Sequence, residues 1–141
     1  MSNRGAICIL DQGYPVLSTY NSSAAGGVTK FRAVKPATGG TIDLNVAATT
    51  LAFGIVQEDI DQVDVATGKA VANVRVLGIS KMVVQTAASI AVGSLITCGS
   101  AGGAVIAAST NKVIGICVGA PGTVAAGDYI DVLLTPGAVA P

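Results

Sequence analysis

The sequence predicts an all-β protein: a small single-domain β-barrel with Gly-rich turns and an extended N-terminal arm. Three observations predict it. Short runs rich in Val, Ile and Thr alternate apolar and polar residues with the period of a strand. The 18 glycines punctuate those runs at intervals that suit short strands. Helix signals are weak, because β-branched residues crowd the chain and lose rotamer freedom in a helix. Many short strands joined by Gly-rich turns read as a sandwich or a small barrel.

Residues 1–28 read as the arm, and residues 29–141 as the barrel domain. Within the arm, Thr19 to Gly27 is small and polar and cannot build a core. Apolar pieces precede it, Ile7 to Leu10 and Tyr14 to Leu17. Ordering such a segment costs about 1–2 kcal/mol per residue. Each large apolar anchor returns about 1.5–3 kcal/mol when fully buried. The balance favours docking only if backbone hydrogen bonds form too, so the arm is expected to add a strand to an existing sheet edge. Arg4, Tyr14, Leu17 and Tyr20 are the candidate partner-binding residues, with Tyr14 and Leu17 as anchors and Arg4 facing an acid on the partner. The rival reading makes residues 5–20 the first strands of the barrel itself.

Strand signals then follow in order. Thr29 to Lys35 alternates and stops at Pro36, Thr38-Gly39-Gly40 is a turn, and Thr41 to Leu44 alternates again. Asn45 is a possible cap for one helical turn. Leu51 to Gln57 is a candidate strand, and Asp59 to Asp64 a short charged connection. Ala66-Thr67-Gly68-Lys69 reads as a hairpin turn after Val63–Val65. Val71 to Gln85 is a long β-prone run that Gly78 interrupts, as at a bulge or a barrel corner. Ser94 to Cys98, Ala104 to Ala107 and Val113 to Val118 follow, with a turn at 99–103 and a loop over 119–127. The last strand runs from Asp128 to Leu134, with Ile130, Val132 and Leu134 on one face and Tyr129, Asp131 and Leu133 on the other.

Composition excludes several function classes. Hydrophobic residues make up 51% of the 141 residues, charged residues only 11%, and the net charge is 0. Ordinary soluble proteins carry about 25% charged residues. A surface this poor in charge approaches another protein at little desolvation cost. Nucleic acid is not expected as a partner, since the eight Lys and Arg are scattered and balanced by eight acids. A membrane is not expected either, because no stretch reaches roughly 18 continuous apolar residues. The N-terminal apolar segment is too short for a signal peptide, so the chain is expected to be made in the cytosol and not secreted.

The chemistry of a catalyst is missing. There is no His, the commonest acid–base group. Glu58, Asp59, Asp61 and Asp64 cluster, yet lack the turn glycine and terminal glutamate of a calcium loop, so they read as a solvated connection. Cys8, Cys98 and Cys117 have no metal-ligand spacing and read as small buried hydrophobes. The glycine stretches do not end in the Lys-Ser/Thr of a phosphate loop. No enzyme activity, cofactor or metal is expected.

Ordered landmarks run from Gly54 to Leu134. They are Gly54-Ile55-Val56, the 66–69 turn, Val76-Leu77-Gly78-Ile79, Ser89 through Ile96, Lys112 through Cys117, and Ala125 through Leu134. This order resembles that of the small capsid decoration, or cement, proteins of tailed bacteriophages. The likeness covers about 60% of the chain directly. It implies a β-barrel on the outer surface of a viral head shell, bound to the major capsid protein and stabilising the shell by bridging its subunits. It also implies a homotrimer, matching sites of local three-fold symmetry. The alternative is a host-surface or carbohydrate-binding head ornament or fibre module.

Overall fold

The computed structural model describes residues 9–17, 30–119 and 122–141. Its strands are β1 (Leu10–Pro15), β2 (Ala33–Pro36), β3 (Ile42–Leu44), β4 (Gly54–Val56), β5 (Val71–Leu77) and β6 (Ile79–Val83). They continue with β7 (Ala88–Ile90), β8 (Leu95–Cys98), β9 (Ala104–Ile106), β10 (Lys112–Gly119), β11 (Gly122–Val124) and β12 (Tyr129–Val139). One short helix, α1 (Gln62–Ala66), lies between β4 and β5. The fold is all-β.

The strands form two five-stranded antiparallel sheets, ordered β1-β5-β4-β2-β3 and β6-β12-β10-β8-β9, and a small pair β11-β7. The expected single barrel is therefore not what forms. Each sheet curls until its edge strands touch at one parallel bridge, Val16 with Ile42 in the first and Val84 with Ala104 in the second. Strands of three residues, such as β3 and β9, offer too few backbone groups to complete a closing ladder.

With β7 and β11 set aside, the two sheet orders are the same, so the chain executes one five-strand plan twice. The register agrees in detail. In the first unit Val34 faces Leu44 and Pro36 faces Ile42; in the second Ile96 faces Ile106 and Cys98 faces Ala104. Gly54 faces Val34, and Gly115 faces Ile96. Val16 N donates to Ala70 O at 2.9 Å and Leu17 N to Ile42 O at 2.9 Å; their counterparts are Val84 N to Asp128 O at 2.7 Å and Gln85 N to Ala104 O at 3.1 Å. The two glycines serve the same need. A Cβ at Gly54 would strike Val74 Cγ1 and Arg75 O, and one at Gly115 would strike Val132 Cγ1 and Leu133 O. No side chain fits where the neighbouring strand passes so close.

Gly78, with φ +97°, turns the chain between β5 and β6 and so carries it from one sheet to the other. The first unit has its own core of Val34, Ile42, Leu44, Val56, Val65 and Val74. The second packs Met82, Ile96, Cys98, Ile114, Cys117 and Ile130 together with Ala33 and Ile55 of the first. Polar contacts finish the joint: Gln57 Nε2 donates to the buried Ser80 Oγ at 2.8 Å, and Lys112 N to Ala48 O at 2.8 Å.

Some local expectations change. Val63–Val65 lies in α1, not in a strand, because Asp61 caps a helix start: its Oδ1 accepts from Val63 N at 2.7 Å. The 66–69 segment is the end of that helix, not a hairpin turn, with Gly68 at φ +70°. After Asn45 the chain makes a turn and no helix; Asn45 Nδ2 donates to Thr50 O at 2.9 Å and its Oδ1 accepts from Ala47 N at 3.3 Å. The 119–127 loop contains β11, paired with β7. β12 runs on past Leu134, because its register on β10 shifts between Gly115–Leu134 and Val113–Ala138 and so absorbs Pro136 in an irregularity.

Candidate docking surface

Three pairs of charges face each other within the sheets. Asp11 faces Arg75, Lys35 faces Asp43 and Lys81 faces Asp131 across adjacent strands, and each pair is an ion pair. The strongest is two-pronged: Arg75 Nε and Nη2 donate to Asp11 Oδ1 and Oδ2 at 2.8 and 3.0 Å. The Arg75 hydrogen bonds hold the Asp11 carboxyl below its ordinary range. The same carboxylate raises the Arg75 pKa.

Three of the four clustered acids are engaged as well. Glu58 Oε1 accepts from Asn73 N at 2.8 Å, Asp59 Oδ1 from Lys30 N at 2.8 Å, and Asp61 caps α1. Among the described residues no group of His, Cys, Asp and Glu is arranged to hold a metal. Nor is any helix among them long and apolar enough to cross a membrane. Cys98 and Cys117 are buried and unpaired. Burial pushes the Cys98 thiol up to about 11 and also raises that of Cys117, away from the reactive thiolate form.

Several large apolar side chains are exposed. Val71, Val92, Ile106 and Tyr129 are each more than two fifths exposed. Among the described residues there is a shallow concave site of about 220 Å³ on the first unit, lined by Tyr14, Pro36, Ala37, Gly40, Thr41, Ile42 and Phe53. Tyr14 comes from the edge strand β1 and meets Phe53 edge-to-face, with ring centroids 5.2 Å apart. Its hydroxyl donates to Gln12 Oε1 at 2.6 Å, which turns the polar end of the ring away from the cavity's aliphatic wall. Pro36 ends β2, and Gly40 sits in the following turn at φ +74°. The lining is apolar apart from the Tyr14 and Thr41 hydroxyls, which donate to Gln12 Oε1 and Thr38 O.

The candidate partner-binding residues fall as follows. Tyr14 lines the cavity. Leu17 is half-buried beside it, its N donating to Ile42 O at 2.9 Å. Arg4 and Tyr20 lie outside the described residues, as does Cys8. β1 belongs to the expected arm, and its hydrogen bonds run to β5 of the same chain. Sequence reasoning missed Pro36, Gly40 and Phe53 as partners of Tyr14, because a strand stop, a turn and a strand residue carry no common motif. The signal that could have joined them is the repeat, which aligns Gly40 with Gly102 and Phe53 with Ile114.

No family model matches the chain, and no curated protein does. Among solved structures, the fold is similar to the N base of the head fiber gp8.5 of bacteriophage phi29, with a TM-score of 0.61. The likeness covers 91% of this chain and 95% of that one at 17% sequence identity. It is a likeness of fold that takes in both five-stranded units.

Proposed function

We propose that this chain is a non-enzymatic structural protein of a phage head. It binds the outer surface of the assembled shell and stabilises it by bridging neighbouring major capsid subunits, as a homotrimer. The observation that carries the reading is the near full-length likeness to the base of a phage head fiber. The surface supports it: three charge pairs lie across the sheets, and exposed apolar side chains and a shallow, mostly apolar cavity face outward. A ligand that binds assembled subunits and not free ones stabilises the assembly by mass action. Bridging several subunits adds avidity.

The experiment is a reconstruction of heads with and without the protein, paired with thermal melting of both. Density on the outer surface against the major capsid subunits, and a higher melting temperature when the protein is present, are expected. Density confined to the tail, or heads that melt alike, would overturn the proposal. The same likeness favours a second reading, a head ornament or fibre module that meets the host surface or its carbohydrates. Binding of the isolated protein to host cells or glycans would mark that role.

A further inference from the structure

The two units meet through surfaces that are not equivalent. The first unit offers residues 31–33 and 44–48. Phe31 O accepts from Val83 N at 3.0 Å, Ala33 N donates to Gly102 O at 2.8 Å, and Arg32 Nη1 donates to Ala101 O. Leu44 lies over Gly102: a Cβ built there would be 2.6 Å from Leu44 Cδ1, 3.2 Å from Ala33 O and 3.3 Å from Arg32 Cβ. The second unit thus offers a depression around Gly102, and the first unit fills it.

The repeat places a counterpart of each surface on the opposite unit. Gly40 matches Gly102 in position and conformation, with φ +74° and +72°. A Cβ at Gly40 would meet nothing within 4 Å. Pro36 and Phe53, which stand where Cys98 and Ile114 are buried in the second unit, line the open cavity here. On the other side, Ile106 matches Leu44 by register. Leu44 is 1% exposed, whereas Ile106 is 41% exposed. Among the described residues, one depression is therefore unfilled and one plug unused, both of the same kind as the pair already joined.

We infer that the cavity of one copy receives Ile106 of a second copy, so that copies join head to tail through a repetition of the contact between units. The occupant is a second copy because the chain itself shows what fills the matching depression: an aliphatic side chain from the β3 position of a neighbouring unit. Plug and depression lie on different units, so the contact is heterologous, and a finite assembly then requires a closed ring. The inference rests on the proposed function only in its homo-oligomer. Attachment to a shell is read separately.

The test uses the full chain and two variants, Ala37→Arg to fill the cavity and Ile106→Asp to spoil the plug. Light scattering after gel filtration reads the mass. Wild type should be oligomeric, each variant alone monomeric yet folded with the far-ultraviolet dichroism of wild type, and the contact weakened at least tenfold. An equimolar mixture should give a dimer and nothing larger, since one intact plug then meets one intact cavity. A wild type that stays monomeric at high concentration, variants that assemble like wild type, or a mixture that does not pair would each overturn the inference. Co-sedimentation of the same variants with shells measures shell binding independently. Variants that stay monomeric yet bind shells uphold this contact and limit the proposed function to shell attachment. Variants that oligomerise yet fail to bind overturn the contact alone.

Discussion

Replacing Gly115 by Ala tests the closest approach in the fold. Gly115 sits in β10 with its φ outside the left-handed region, so Ala is conformationally permitted. The unfolded chain would lose freedom, which on its own stabilises by about 0.4–1 kcal/mol. Against this, the added methyl strikes Leu133 O and Val132 Cγ1 on β12. A side chain can rotate aside, but the Leu133 oxygen belongs to the ladder between β10 and β12 and cannot move without it. Overpacking costs about 1–3 kcal/mol, and a backbone obstacle argues for the upper part of that range. The net loss is about 1–2 kcal/mol. With a urea m-value of about 2 kcal/mol/M, the unfolding midpoint should fall by about 0.5–1 M. Gly54→Ala should fall similarly, since Val74 Cγ1 and Arg75 O stand in the same places. Gly13→Ala is the control: its Cβ would lie 3.6 Å from Val71 Cγ1, an ordinary contact, and its midpoint should hold or rise slightly. Equilibrium urea unfolding followed by far-ultraviolet dichroism measures all three. A Gly115→Ala protein as stable as wild type, or a Gly13→Ala protein that loses as much, would refute the reasoning.

Arg75→Ala should lower stability at neutral pH by about 0.5–1 kcal/mol, because it removes a two-pronged but partly exposed pair. Asp11 has its folded pKa lowered below 3.8, so its contribution is present above that pH and is lost as pH falls through the folded value; the gap between wild type and Arg75→Ala, measured by urea unfolding across acid pH, should close there, and a gap that widens in acid would be the wrong sign. Asn45→Ala leaves Thr50 O without its side-chain donor and Ala47 N without its side-chain acceptor at a fully buried position, and should cost about 1–3 kcal/mol in the same assay. Cys98, with its thiol raised to about 11, should resist iodoacetamide near pH 8 in a Cys8→Ser background until urea unfolds the chain; mass spectrometry that finds prompt labelling of native Cys98 would contradict its burial.

The strands were largely legible because burial follows alternation. In β12 the buried residues are Ile130, Val132 and Leu134, the face that the pattern names. Two features were hidden for physical reasons. The helix α1 is a single capped turn, too short for a periodic signal, and its Asp61 cap looks in sequence like one more acid in a charged connection. The repeat is hidden because packing preserves shape and not identity. Gly54-Ile55 and Gly115-Ile116 are both in the sequence, yet Val34 answers to Ile96, Pro36 to Cys98 and Phe53 to Ile114, exchanges that keep an apolar contact and erase resemblance. The cavity was legible only at Tyr14, since its other walls take their meaning from which strands become neighbours.

Phe31 explains why the two units are not interchangeable. It stands where the second unit has Gly93: Phe31 N donates to Val56 O at 2.7 Å, as Gly93 N does to Cys117 O at 2.7 Å. Both adopt positive φ, +67° and +93°. For Gly93 this conformation is free of penalty, whereas for a bulky residue such as Phe31 it costs about 1–2 kcal/mol. The cost is offset by what only a side chain can do there. The ring packs against the second unit's core and meets Tyr129 edge-to-face at 5.4 Å, while Val83 N binds the Phe31 carbonyl. Full burial of such a ring is worth about 1.5–3 kcal/mol, so the partly buried Phe31 ring with its aromatic contact offsets much of the backbone cost. The position on the first unit that matches the donor Val83 is Pro15, which faces Val71 as Val83 faces Tyr129 and has no N–H to give. An outward contact at the cavity therefore lacks both the ring and this hydrogen bond of the inner joint. It must be weaker than that joint, as suits a contact between separate copies.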